Sequence, residues 1–220
     1  MKKFFTLIAA VAMAASVNAQ TQEWNFSDWD LNTYSSISTD VSKDGLTVYA
    51  NANDNKAVSL DKNSKTVDGV KYTQRLKFGG TGSVSDLNNM ARVVAFNVTG
   101  ACDIYVVAAH GSSSGDPRPL KIDAVVNETA TPVGEVTFAA NEYKSSTLKY
   151  TGGAAKILIY SGKSGINLYD IKVTSGTSGI SNINASEAAN EGATFNLLGQ
   201  KVASNAKGLV IKNGKKFINK

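Results

Sequence analysis

The sequence predicts an all-β fold: an antiparallel β-sandwich of jelly-roll type followed by a small C-terminal β appendage. Three observations point there. Short segments rich in β-branched and aromatic residues recur along the chain. Clusters of Gly, Pro, Asn, Asp and Ser separate them at short intervals. No stretch after residue 19 keeps a helical period for three turns.

Residues 1–19 stand apart from the fold. Lys2 and Lys3 precede the apolar run FFTLIAAVAMAA, and Val17-Asn18-Ala19 places small residues where a signal peptidase cuts. The run is too short for a membrane span. A signal peptide is expected, with a secreted chain starting at Gln20 that is extracellular or on the outer cell surface. The next stretch, EWNFSDWDLNTY, holds both tryptophans and is expected to add a strand or cap; Trp24 and Trp29 read as core rings ahead of a sugar platform. Asp44-Gly45 and Asp68-Gly69 are turn signals. Strands are then expected at YTQRLKF (72–78), RVVAFNV (92–98), CDIYVVAAH (102–110), PLKIDAVV (119–126), GEVTFAA (134–140), STLKYT (146–151), AKILIYS (155–161) and INLYDIKVT (166–174). Residues 20–174 thus form one sandwich. A Gly/Ser-rich linker is placed at 175–180. In the appendage, 181–220, Leu198-Gly199 closes one short strand, and Asn213-Gly214 suits a type I′ hairpin.

Composition excludes several functions. The net charge of +5 suggests a nucleic-acid partner, but residues 20–175 hold 15 basic and 16 acidic side chains; the excess lies in the leader and tail. No nucleic acid is expected. Cys102 is the only cysteine, so neither an intrachain disulfide nor a cysteine–histidine zinc site exists, and its alternating segment predicts a buried, inert thiol.

The stretch TQRLKFGGTGS raises a phosphate cradle as a possibility. Gly79-Gly80-Thr81-Gly82 matches neither dinucleotide nor P-loop spacing, and SVSDLNNM is a poor helix. A tight corner is the better reading. If strands 72–78, 92–98, 102–110 and 118–126 alternate in direction, one rim collects Lys77, the glycine loop, Arg92, His110, the loop GSSSGDP and Arg118. Parity puts Arg92, His110 and Arg118 at the ends of core-facing rows, from which a charge must tip over the rim. Arg75 and Lys77 point outward from the neighbouring strand. Such a cluster suits a carboxylated ligand, with Tyr105 as an apolar face. The alternative is that Arg92 and Arg118 pair with Asp86, Asp116 or Asp123 and pin loops.

Catalysis is disfavoured. No G-x-S-x-G elbow accompanies His110, the sole histidine, and no carboxylate pair motif is recognisable. No cofactor is expected. A structural calcium ion is allowed for, with Glu23, Asp28 and Asp170 as weak candidates where the first and last strands meet.

Two resemblances rest on particular residues. RLKFGGTGS, the SSSGDPRPL run and NLYDIKV resemble the β-sandwich module attached to pectate lyases and other polysaccharide-degrading proteins of Bacteroidetes, over 24–174. This implies a non-catalytic carbohydrate-binding module with an acidic, pectic polysaccharide as ligand. FNLLGQKV (195–202), KGLVI (207–211) and NGKKF (213–217) resemble the C-terminal sorting domain of the type 9 secretion route, implying secretion or surface-attachment machinery as partner. The rival expectation is a structural or adhesive surface protein that binds a protein partner; a polysaccharide lyase or hydrolase ranks below both.

Overall fold

The computed structural model describes residues 20–175, 194–196, 201–203, 206–212 and 215–219. The leader and most of the linker expected at 175–180 lie outside them. Two compact units divide the chain, Met1–Thr177 and Ser178–Lys220.

The first unit is an antiparallel sandwich. Its strands are β1 (Thr21–Asn25), β2 (Val41–Lys43), β3 (Leu46–Tyr49), β4 (Ser59–Val67), β5 (Val70–Lys77), β6 (Val93–Val98), β7 (Cys102–His110), β8 (Arg118–Val126), β9 (Thr129–Phe138), β10 (Tyr143–Tyr150), β11 (Ala155–Ser161) and β12 (Ile166–Ser175). One sheet runs β10-β7-β12-β5-β4, with β1 also on β12; the other runs β2-β3-β6-β11-β8-β9. Strand alternation makes the core. Val94, Phe96 and Val98 of β6 face Ile104, Val106 and Ala108 of β7, joined by Leu120, Ile122, Ile157 and Ile159. Each such fully buried aliphatic side chain contributes about 1.5–3 kcal/mol.

Between β1 and β2 the chain forms a 3-10 turn (Phe26–Asp28) and a one-turn helix, α1 (Leu31–Tyr34). Asn25 and Asp30 supply the caps, their side chains accepting from Ser27 N and from the amides of Asn32 and Thr33. Trp24, Phe26 and Trp29 are buried, and the Trp24 ring lies 4.9 Å from Phe96. Both tryptophans are core residues.

Asp44-Gly45 and Asp68-Gly69 each hold two successive positive φ angles, the backbone a two-residue hairpin needs. Asn127-Glu128 does the same between β8 and β9 with no glycine. β2, β3 and β4 were not anticipated: β4 reads SLDKNSKTV, and its polar outer face hides the alternation. Arg92 is corrected. It stands one residue before β6 with φ +56°, so it does not continue the row of Val94 and Phe96.

In the second unit β13 (Thr194–Phe195), β14 (Lys201–Val202), β15 (Gly208–Lys212) and β16 (Lys215–Asn219) form a sheet ordered β14-β13-β15-β16. Lys212 opposite Lys215 leaves the two-residue connection expected at Asn213-Gly214. Those two residues, and Leu198-Gly199, lie outside the described ones.

Candidate functional site: a cleft on the curved outer face

The outer strands of the first sheet, β4 and β10, come into contact. In a flat sheet the four intervals between them would set them about 19 Å apart. Yet Lys65 of β4 places its Nζ 4.5 Å from the centre of the Tyr143 ring at the start of β10. The sheet therefore curls, and its outer face becomes a cleft of about 210 Å³.

A bulge in β12 builds the floor. Register shifts between Leu168 and Asp170, so Tyr169 and Asp170 both turn outward. Tyr169 packs with Tyr72, Val107 and Ala109, and its hydroxyl donates to Asn63 Oδ1 at 2.6 Å. Burial raises the Tyr169 pKa, so the phenol stays a neutral donor. Around this floor stand Asn63, Lys65 and Arg75 on one side, and Ser112, Ser113, Asn141 and Tyr143 on the other. Tyr143 is exposed at 43%, an open ring at the lip.

Charge in the cleft is uneven. Arg75 donates through Nε (2.7 Å) and Nη2 (3.2 Å) to Asp61, which raises its pKa further. Lys77 Nζ lies 3.9 Å from the same carboxylate. One aspartate outside the lining thus faces two cations, of which Arg75 lines the cleft together with Lys65. Glu142, the one carboxylate in the lining, accepts from Lys144 Nζ and Ala139 N, both at 2.7 Å. Lys144 chiefly, then the amide, hold its pKa below the usual carboxylate value. A carboxylate so tied is a poor general acid, and no second one faces it in the lining.

The predicted rim cluster does not form an open groove. The four strand ends do meet, but main chain fills the meeting point. A Cβ on Gly111 would lie 2.3 Å from Gly165 O, and one on Gly165 would lie 3.3 Å from Gly79 C. Arg118 Nη1 donates to Gly165 O at 2.6 Å. Arg92 Nη2 donates to Asn55 O at 2.6 Å, with its guanidinium where a Gly80 side chain would stand. Their partners are carbonyls, not the aspartates weighed above: Asp116 pairs with Lys163, Asp123 accepts from Tyr160, and Asp86 accepts from Asn88 N. His110 is buried, with Nδ1 2.6 Å from Ser112 O and Nε2 3.0 Å from Asp116 O, so it staples the loop after β7. Tyr105 lies mid-strand on the outer face, its hydroxyl donating to Asp68 at 3.3 Å, away from the rim. Of the predicted residues, Arg75 and His110 line the cleft.

Glu23 and Asp170 share the outer face of β1 and β12, but Asp28 sits in the 3-10 turn near Lys43. Among the described residues no group of three or more His, Cys, Asp or Glu could hold a metal ion. Cys102 is buried, and burial pushes its thiol pKa up. No helix among the described residues is long and apolar enough to cross a membrane.

The residues that sequence reasoning missed are Asn63, Lys65, Asn141, Tyr143 and Tyr169. Tyr169 carried a signal, as an aromatic within the expected strand 166–174, whereas Tyr143 opens a strand three residues before the expected 146–151. Lys65 and Asn63 lie in a strand that was not recognised.

No family model matches the chain, and no curated protein does. Among solved structures it is similar to the CBM22-1 xylan-binding domain of Xyn10C from Paenibacillus barcinonensis, at 10% identity over 71% of this chain and 94% of that one, TM-score 0.42. It is similar to the C-terminal CBM6 of LamC, a marine laminarinase from Zobellia galactanivorans, at 16% identity over 70% of this chain and 99% of that one, TM-score 0.36. The CBM22-1–CBM22-2 tandem of the same Paenibacillus enzyme aligns at 9% identity over 78% of this chain and 50% of the tandem, TM-score 0.46. These are distant likenesses that assign no ligand.

Proposed function

We propose that the sandwich is a non-catalytic carbohydrate-binding module that holds an acidic, pectic polysaccharide across the curved outer face of its first sheet. The observation behind this is the half-exposed Tyr143 ring, with the Lys65 ammonium over one of its faces, above a floor of buried Tyr169 and a margin of amide and hydroxyl groups. A pyranose offers an apolar face to a ring and hydroxyls to amides. The cationic excess around Asp61 favours a carboxylated chain over a neutral one. The leader and the sorting-like tail support a secreted or surface-attached protein whose C-terminal unit engages export machinery.

Affinity electrophoresis of the full chain in gels containing polygalacturonate tests the reading. Retardation is expected, stronger than in neutral galactan and weakening with salt. Tyr143→Ala and Lys65→Ala should each weaken it roughly tenfold, the loss of about 1–1.5 kcal/mol that an aromatic or cationic contact contributes. Equal migration with and without every polysaccharide, or unchanged retardation of both variants, would rule it out.

A further inference from the structure

A second cleft, of about 530 Å³, opens among the loops flanking β2, β3 and β6, between segments 38–40, 50–53 and 88–90. Its walls are fixed by local bonds. Ala52 N donates to Ser38 O at 2.9 Å, and Asp40 Oδ1 accepts from Ala50 N at 3.1 Å. Asn51 and Asp54 exchange two bonds, and Asn88 N donates to Asp86 Oδ1 at 2.9 Å. Asp40 and Asn51 are therefore engaged. The exposed side-chain amides of Asn53, Asn88 and Asn89 have no hydrogen-bond partner among the described residues, and they line the same space.

Arg92 supplies an independent observation. An arginine at φ +56° is held against its backbone preference, and such strain concentrates at functional sites. Its amide donates to Tyr49 O (2.7 Å) and its guanidinium to Asn55 O (2.6 Å). One residue thus clamps the end of the 88–90 wall to the start and end of the 50–55 wall. The strained residue acts on the shape of the cleft without lining it.

The chemistry of the lining selects a ligand class. No cation lines the cleft, so an anionic ligand finds no counter-ion there, and one oxygen of its single carboxylate, Asp40, is already taken by the Ala50 amide. Of the three apolar members, Ala50 and Met90 are buried and only the small Ala52 is exposed, so a peptide's apolar side chains find little cover. Each free amide offers both donor and acceptor, as each sugar hydroxyl does. The geometry points to a binding site for a neutral saccharide, separate from the curved-face cleft. It extends the carbohydrate reading to a second site and does not depend on the first one binding.

The test follows the side-chain NH₂ resonances of the 15N-labelled full chain during titration with galactan, xylan and cellulose hexasaccharides. At least one sugar should shift Asn53, Asn88 and Asn89 saturably. Asn88→Ala combined with Asn89→Ala, both exposed, should weaken that binding roughly tenfold, as expected for the loss of two modest hydrogen bonds, while Tyr143→Ala leaves it unchanged. Polygalacturonate retardation, in contrast, should survive the asparagine substitutions, so failure of either site is read separately. Absence of shifts with all three sugars, an unaltered response in the double variant, or shifts produced by unstructured peptides and not by sugars would overturn the assignment.

Discussion

At the scale of single residues, Asp170 has the most consequential surroundings. The bulge that turns Tyr169 into the cleft also turns Asp170 outward, where it is buried at 2% exposure. Glu23 of β1 and Lys172 of β12 face it, and Tyr72 of β5 donates to its Oδ2 at 3.2 Å. Tyr105 of β7 lies against Tyr72. Oδ1 has no partner. Burial first, and the Glu23 charge second, raise the Asp170 pKa to about 7. A carboxyl whose folded pKa lies above its unfolded value favours the fold while protonated. That stability is complete below about pH 4 and is lost as pH rises through 7, a contribution on the order of 4 kcal/mol. Thermal unfolding between pH 5 and 8 should therefore show Tm falling as pH rises. Asp170→Asn should flatten that slope and unfold at a higher temperature than the parent at pH 8. Parallel curves for the two proteins would refute the role.

At the scale of elements, the alternating strands and the Asp-Gly hairpins were legible because period and turn chemistry are local. Core-facing rows in β6, β7, β8 and β11 follow directly from residues such as Val94, Ile104 and Leu120. What was not legible depended on partners. Parity located the meeting of four strand ends but not that a guanidinium there would bond a carbonyl, as Arg118 does with Gly165. It also gave no hint that the sheet would curl until Lys65 met Tyr143, because curvature belongs to the sheet and not to a strand. The Asn127-Glu128 hairpin escaped notice because glutamate seldom adopts positive φ. The glycines at the rim do have a readable purpose once seen together: they let main chains touch. Gly111 is the sharpest case, donating to Gly165 O at 3.0 Å where any side chain would overlap that carbonyl. Gly111→Ala should displace the 162–165 turn, break the Arg118 contact and lower stability by about 2 kcal/mol, read from urea unfolding. Gly153→Ala, with open space around it and no left-handed φ, should cost much less. Equal effects would mean that contact is not what the rim requires.

At the scale of the whole molecule, the division after Thr177 sets what each unit needs. Among the described residues, every member of the three buried clusters lies between Trp24 and Val173. The C-terminal unit has strands of two to five residues, and among its described residues only Thr194 and Val210 are buried while Ile218 is exposed at 74%. A piece this small buries too little apolar surface to be stable by itself. A chain ending at Thr177 should accordingly unfold in one transition at the same Tm as the full chain, within about 2 °C, the shift left by a few tenths of a kcal/mol. It should keep its retardation on polygalacturonate, since Tyr143, Lys65 and Arg75 all belong to the first unit. The isolated 178–220 segment should show no cooperative transition by circular dichroism. If removing the tail lowers Tm by ten degrees or abolishes binding, the two units are not energetically separate.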